Sequence, residues 1–164
     1  YIIPGEIMLS VIENLNDPLI NLIKDDPVRP EIPSAARIHE QAEIFVLHQD
    51  GAPAAVTCVK YTQDVPEDVQ GLDSNSEPTV AVFYTIWSYQ KGSGQKLIRA
   101  AQKHILATRP HITRFVTLSP KTDMARAFHH KNGAFTLREN PTTVNYEYQS
   151  EVKRQADCSI AVVA

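Results

Sequence analysis

Hydrophobic positions change period along the chain, and the changes divide it into elements. In GEIMLSVIENL, Ile7, Met8, Val11, Ile12 and Leu15 share one helical face, which predicts a first helix. NDPLINLIKDD offers Asp17 as N-cap and Pro18 at the first helical position of a second. The prolines of DDPVRPEIPS then break any helix and predict a linker. AEIFVLHQDGAPAAVTCVKY reads as a hairpin, two apolar runs about the turn dipeptide Asp50-Gly51. Residues 62–78 are polar and proline-bearing, which predicts a mobile acidic loop. TVAVFYTIW is apolar almost throughout, the pattern of a central strand buried on both faces.

Beyond it, SYQKGSGQKLIRAAQKHILATRP passes two glycines into an amphipathic helix carrying Leu97, Ile98, Ala101 and Ile105. HITRFVTLSP is another strand, and KTDMARAFHHKNG a helix stopped at Asn132-Gly133. AFTLR and TTVNYEYQ close with two strands. The order predicts an α/β (α+β) domain, a mixed central sheet with helices on both faces. One domain over 1–164 is expected, with a helical N-terminal segment at 1–33 and a tail at 150–164.

Composition narrows this only a little. The 164 residues are 43% hydrophobic and 21% charged, as in globular chains, with a net charge of −3 and no block of Lys or Arg. Nucleic acid is not an expected partner. No apolar run approaches the ~20 residues of a membrane span. Cys58 sits in an apolar strand and Cys158 has no metal-ligand spacing, so a reducing, cytoplasmic setting and no metal are expected. The sequence opens at Tyr1 without methionine, which leaves a preceding segment open.

The candidate chemistry begins at YTIWSYQKGSGQKLI. A buried strand ends, the chain turns through Gly92 and Gly94, and a helix starts. The first amides of a helix have no internal acceptor, and small residues let a ligand approach them. Such a turn suits a phosphate or pyrophosphate, with Lys91 adding charge. It is neither a dinucleotide fingerprint nor a P-loop, since the third glycine of one and the Gly-Lys-Ser/Thr of the other are missing.

Strand, glycine turn, helix, strand and helix with an NG stop resemble the core of the GNAT acetyltransferase superfamily. QKGSGQKLI is similar to its acyl-CoA pyrophosphate loop. AVFYTIWSYQKG, FVTLSP, DMARAFHHKNGA and TVNYEY resemble, in that order, the catalytic domain of malonyl-CoA decarboxylases. That family reads FYSIS-x-x-QKG, F-x-x-LSP, D-x-x-ARFH-x-x-NGA and VNY-x-Y. Thr85 stands where the family has serine, Trp87 replaces a second small polar residue, and the loop after Gln90-Lys91-Gly92 is shorter.

The resemblance implies an acyl-CoA enzyme that decarboxylates a malonyl-type thioester through an enolate. Acyl transfer to an amine and acyl-CoA binding without catalysis are the alternatives. His129 would be the catalytic proton donor, and the Thr85 hydroxyl would hold the enolate oxygen. Trp87, Gln90, Lys91, Gly92, Ser93, Gly94 and Gln95 would bind the coenzyme A thioester. Tyr146, Asn132 and Ser119 would line the substrate pocket, with Ser119 also in place to cap the following helix. His130, about 100° further round that helix, is expected to face solvent. The expected partner is a small-molecule acyl-CoA, with self-association left open.

Overall fold

The computed structural model describes residues 6–73 and 77–149. Eight strands form one sheet: β1 (Ile7–Ile12), β2 (Ala42–Gln49), β3 (Ala52–Thr62), β4 (Val80–Ser88), β5 (Arg114–Thr117), β6 (Ser119–Pro120), β7 (Phe135–Glu139) and β8 (Thr143–Tyr148). Two α-helices among the described residues join them, α1 (Ser93–Thr108) and α2 (Asp123–Lys131). The strand order is β1-β2-β3-β4-β5-β8-β6, with β7 also on β8. Among the described residues only β4 and β5 are parallel, linked by the crossover through α1. The β2–β3 hairpin turns at Asp50 (φ 53°) and Gly51 (φ 84°), the pair of positive φ angles a two-residue turn of this hand requires.

Alternation along the strands divides the core in two. Phe45, Leu47, Val59, Tyr61, Ala81 and Phe83 point to one face, where Leu97, Ile98, Ala101 and Ile105 of α1 pack. Phe128 of α2 joins that face. Ile44, Val46, Val56, Cys58, Val80 and Val82 point to the other, covered by Leu19, Ile20, Leu22 and Ile23. Those residues belong to a 3-10 helix, Pro18–Asp25, whose first turn Asp17 caps through Leu19 N–H at 2.9 Å. The expected helices on both faces are therefore α-helical on one side and 3-10 on the other.

The first expected helix is instead strand β1, antiparallel to β2 from Ile7↔Gln49 to Ile12↔Ile44. The helical spacing of its apolar residues yields to ladder hydrogen bonds with β2. At this sheet edge Ile7 and Met8 remain exposed, which weakens the alternation that would have announced a strand. The 62–78 stretch contains a short 3-10 turn, Val69–Asp73, and is tied to the last hairpin before it. Carbonyls of Val65, Pro66 and Glu67 accept from Arg138, Asn145 and Thr143. The expected tail at 150–164 and Cys158 lie outside the described residues. No helix among the described residues is long and apolar enough to cross a membrane.

Candidate functional site

The site originates in a split in the sheet. β4 and β5 pair only over Val80–Phe83 and Arg114–Thr117, closing with Leu118 N–H to Phe83 O at 3.0 Å. β4 runs on to Ser88, while the other chain turns away as β6 to pair with β8. A bulge adds to the divergence: Cys58 faces Thr85 and Val59 faces Phe83, leaving Tyr84 as the extra residue. A cleft of about 440 Å³ fills the gap. Phe83 and Trp87 line it from β4, Leu118 and Ser119 from the opposite lip, and Phe128 and His129 from α2.

His129 reaches this cleft because Thr122 starts α2 just beyond the split. Thr122 Oγ1 accepts from Ala125 N–H at 3.2 Å, so Thr122, and not Ser119, caps the helix. The imidazole is 4% exposed, stacked on Tyr146 with ring centres 5.0 Å apart. Ser119 Oγ donates to Thr117 Oγ1 at 2.8 Å. With that proton committed, His129 Nε2–H donates to Ser119 Oγ (3.2 Å) and Nδ1 accepts from Tyr148 O–H (2.7 Å). Burial, helped by the neighbouring His130, lowers the His129 pKa to about 4, so the ring is neutral at pH 7. His130 is exposed and bonds Thr136 Oγ1 at 2.8 Å, as its helical phase predicts.

Thr85 lines the same cleft from the other face of the sheet. Its hydroxyl donates to Asp26 Oδ1 at 2.7 Å. Asp26 Oδ1 also accepts from Val28 N–H (2.8 Å) and Arg29 N–H (2.9 Å), while Oδ2 pairs with Arg37 Nη1 at 2.7 Å. Both charged side chains are fully buried. Burial alone would raise the Asp26 pKa; the hydrogen bonds from Arg29, Arg37, Thr85 and Val28 outweigh it and hold the carboxyl below its usual range. Arg37 spends its remaining donors on the carbonyls of Arg29 and Ile32 and lies 3.5 Å from Cys58 Sγ. Burial raises the Cys58 thiol to about 11, so it stays protonated. A hydroxyl has one proton to give. Thr85 gives it to Asp26, so the expected donation to an enolate oxygen requires that bond to break.

The glycine turn closes one end of the site. Gly92 caps α1 at φ 83°, where no side chain caps the helix. Ser93 N–H bonds Gln90 O, and Gly94 and Gln95 follow as amides with no acceptor inside the helix. Gly94 lies against Phe128 at the cleft wall.

No protein-family profile matches the chain, and no curated protein sequence does. Solved structures do. Malonyl-CoA decarboxylase from Agrobacterium vitis superposes with a TM-score of 0.71 at 18% identity, over 92% of this chain and 63% of that one. The decarboxylase from Rhodopseudomonas palustris gives 0.57 at 25% identity, over 76% of this chain and 33% of that one. The aminoglycoside acetyltransferase AAC(6')-Ib, bound to coenzyme A and kanamycin, gives 0.64 at 16% identity, over 92% and 98%. The fold is the GNAT fold. This chain thus spans less than two thirds of either decarboxylase.

Within the GNAT frame, the cleft brings together His129, Thr85, Ser119, Trp87 and Gly94 of the expected site. Gln90 and Lys91 are exposed on the turn beyond it, and Ser93 is buried with its hydroxyl on Ala54 O. Two expected pocket residues do not line the cleft. Asn132 ends α2, its amide donating to Phe128 O at 2.8 Å. Tyr146 lies behind the His129 ring. Sequence reasoning missed Asp26, Arg37 and Thr117. Asp26 and Arg37 look like surface charges among prolines, and nothing local pairs Asp26 with a hydroxyl 59 residues away. Among the described residues no group of three or more His, Cys, Asp or Glu is placed to hold a metal.

Proposed function

We propose that the chain is an acyl-CoA enzyme that decarboxylates a malonyl-type thioester. The amides of Gly94 and Gln95 at the start of α1 would take the pyrophosphate, as helix N-termini take anions. The thioester would then enter the split between β4 and β5. Loss of CO2 leaves the electron pair on the α-carbon, delocalised onto the thioester oxygen. Beyond Phe83, alternate main-chain amides of β4 face the split without a β5 partner, and these would hold that oxygen. For the protonation, His129 Nε2–H would leave its 3.2 Å bond to Ser119 Oγ for the α-carbon, and the ring would recover a proton from solvent after product leaves.

One observation carries this reading. His129 turns an imidazole into the cleft, 4% exposed and held neutral by burial, and no Asp, Glu, Lys or Arg among the described residues lines the cleft. An amine acceptor needs a base to remove its proton, and the basic nitrogen of His129, Nδ1, is taken by Tyr148 O–H; a departing thiolate needs an acid stronger than a neutral imidazole. An α-carbon carrying enolate charge is basic enough to take a proton from neutral N–H. An apolar cleft also disfavours a carboxylate relative to CO2. Acyl transfer is the competing reading, supported by the nearly complete overlap with acetyltransferases such as AAC(6')-Ib.

Incubation with malonyl-CoA and no acceptor separates the two. Mass spectrometry should find acetyl-CoA and CO2, and His129→Ala should slow their formation about 10²–10⁴-fold. No acetyl-CoA, or turnover unchanged in His129→Ala, would overturn the proposal.

A further inference from the structure

The segment Asp26–Arg29 crosses the split on the face opposite α1 and is fastened to both lips. At one end the Asp26 carboxylate holds Thr85 of β4 at 2.7 Å. At the other, Arg29 Nη2 donates to Leu118 O at 3.1 Å, on the lip that β5 leaves. Between the anchors, Pro27 and Val28 form part of the cleft wall. The bridge is stiff. Asp26 Oδ1 also takes the Val28 and Arg29 amides, Pro27 has a fixed φ, and Arg37 clamps both the carboxylate and Arg29 O, the latter at 2.7 Å.

We infer that Asp26–Arg29 is the end-stop for the acyl group, restricting this site to short acyl chains. The inference rests on the acyl-CoA reading above and adds the residues that set the length of its acyl group. The amides at the start of α1 lie on one face of the sheet and the bridge on the other. A thioester bound from the α1 side points its acyl group through the split toward Pro27 and Val28. These two residues offer contact and no charge. The Arg29 guanidinium is turned to the Leu118 carbonyl and is not among the lining groups. A two- or three-carbon acyl group ends against this wall; a longer chain must displace it, and its two anchors resist that.

Calorimetry with coenzyme A, acetyl-CoA and octanoyl-CoA tests this without any turnover. Coenzyme A itself should bind, and octanoyl-CoA should bind at least tenfold more weakly than acetyl-CoA. Val28→Ala, which shortens the wall, and Arg29→Ala, which frees one anchor, should each reduce that ratio at least threefold while leaving coenzyme A affinity unchanged. Equal affinity for the two thioesters in the unaltered protein, or a ratio that neither variant moves, would overturn the end-stop. No binding of coenzyme A would instead overturn the acyl-CoA reading beneath it.

Discussion

His129 is buried as a neutral ring between two hydroxyls, and this has a consequence for stability as well as chemistry. Its pKa falls from 6.5 to about 4 on folding. Between those values the unfolded chain holds the proton and the folded chain does not, so stability falls as pH drops from about 6.5 to about 4. The single group accounts for about 3 kcal/mol of that loss. His129→Gln cannot take up this proton, so its urea midpoint should decline less over the same range; parallel decline in both proteins would contradict the buried neutral ring. Tyr148→Phe keeps the packing and removes the O–H that faces Nδ1. It should cost about 1 kcal/mol. Nitrogen chemical shifts should also show His129 losing its preference for the Nε2–H form, which a purely structural tyrosine would not affect.

Within the elements, the turn into α1 contains two glycines with separate duties. Gly92 holds φ 83° with nothing within 4 Å of an added Cβ, so Gly92→Ala meets strain and no clash. It should cost about 1–2 kcal/mol in denaturant unfolding. An added Cβ at Gly94 would stand 3.0 Å from the Phe128 ring. Gly94→Val should therefore weaken coenzyme A binding by disturbing the wall, with a smaller effect on α1 itself. Both glycines, both α-helices and strands β2 to β5, β7 and β8 could be read in the sequence, because each has a strong local pattern. β1 could not, because Ile7, Met8, Val11 and Ile12 fit a helical face and only pairing with β2 decides otherwise. The place of His129 beside the cleft was legible through its motif. The Asp26–Arg37 pair was not, because its meaning depends on Thr85 and Cys58, distant in sequence and adjacent only in the folded sheet.

Across the whole molecule, that ion pair ties the N-terminal arm to the centre of the sheet. Both side chains are fully buried, so deleting one leaves the other charge without its partner. Asp26→Ala or Arg37→Ala should each cost about 3–5 kcal/mol. The double replacement Asp26→Leu with Arg37→Met should cost less than the two single losses added, since the second change removes the charge that the first strands, while Thr85 and the Val28 and Arg29 amides lose their acceptor either way. Additive losses in chemical unfolding would show that the arm contributes by packing alone.

A sheet that parts after four parallel rungs has a seam at its middle, with one half carried by β4 and the other by β8. Whatever wedges into that seam touches both halves at once and joins them as a missing strand would. Loading with coenzyme A at a hundred times its dissociation constant should add about 2.7 kcal/mol to the unfolding free energy. Amides along the two margins, at Ile86 and Leu118, should then exchange their hydrogens more slowly than in the unloaded protein.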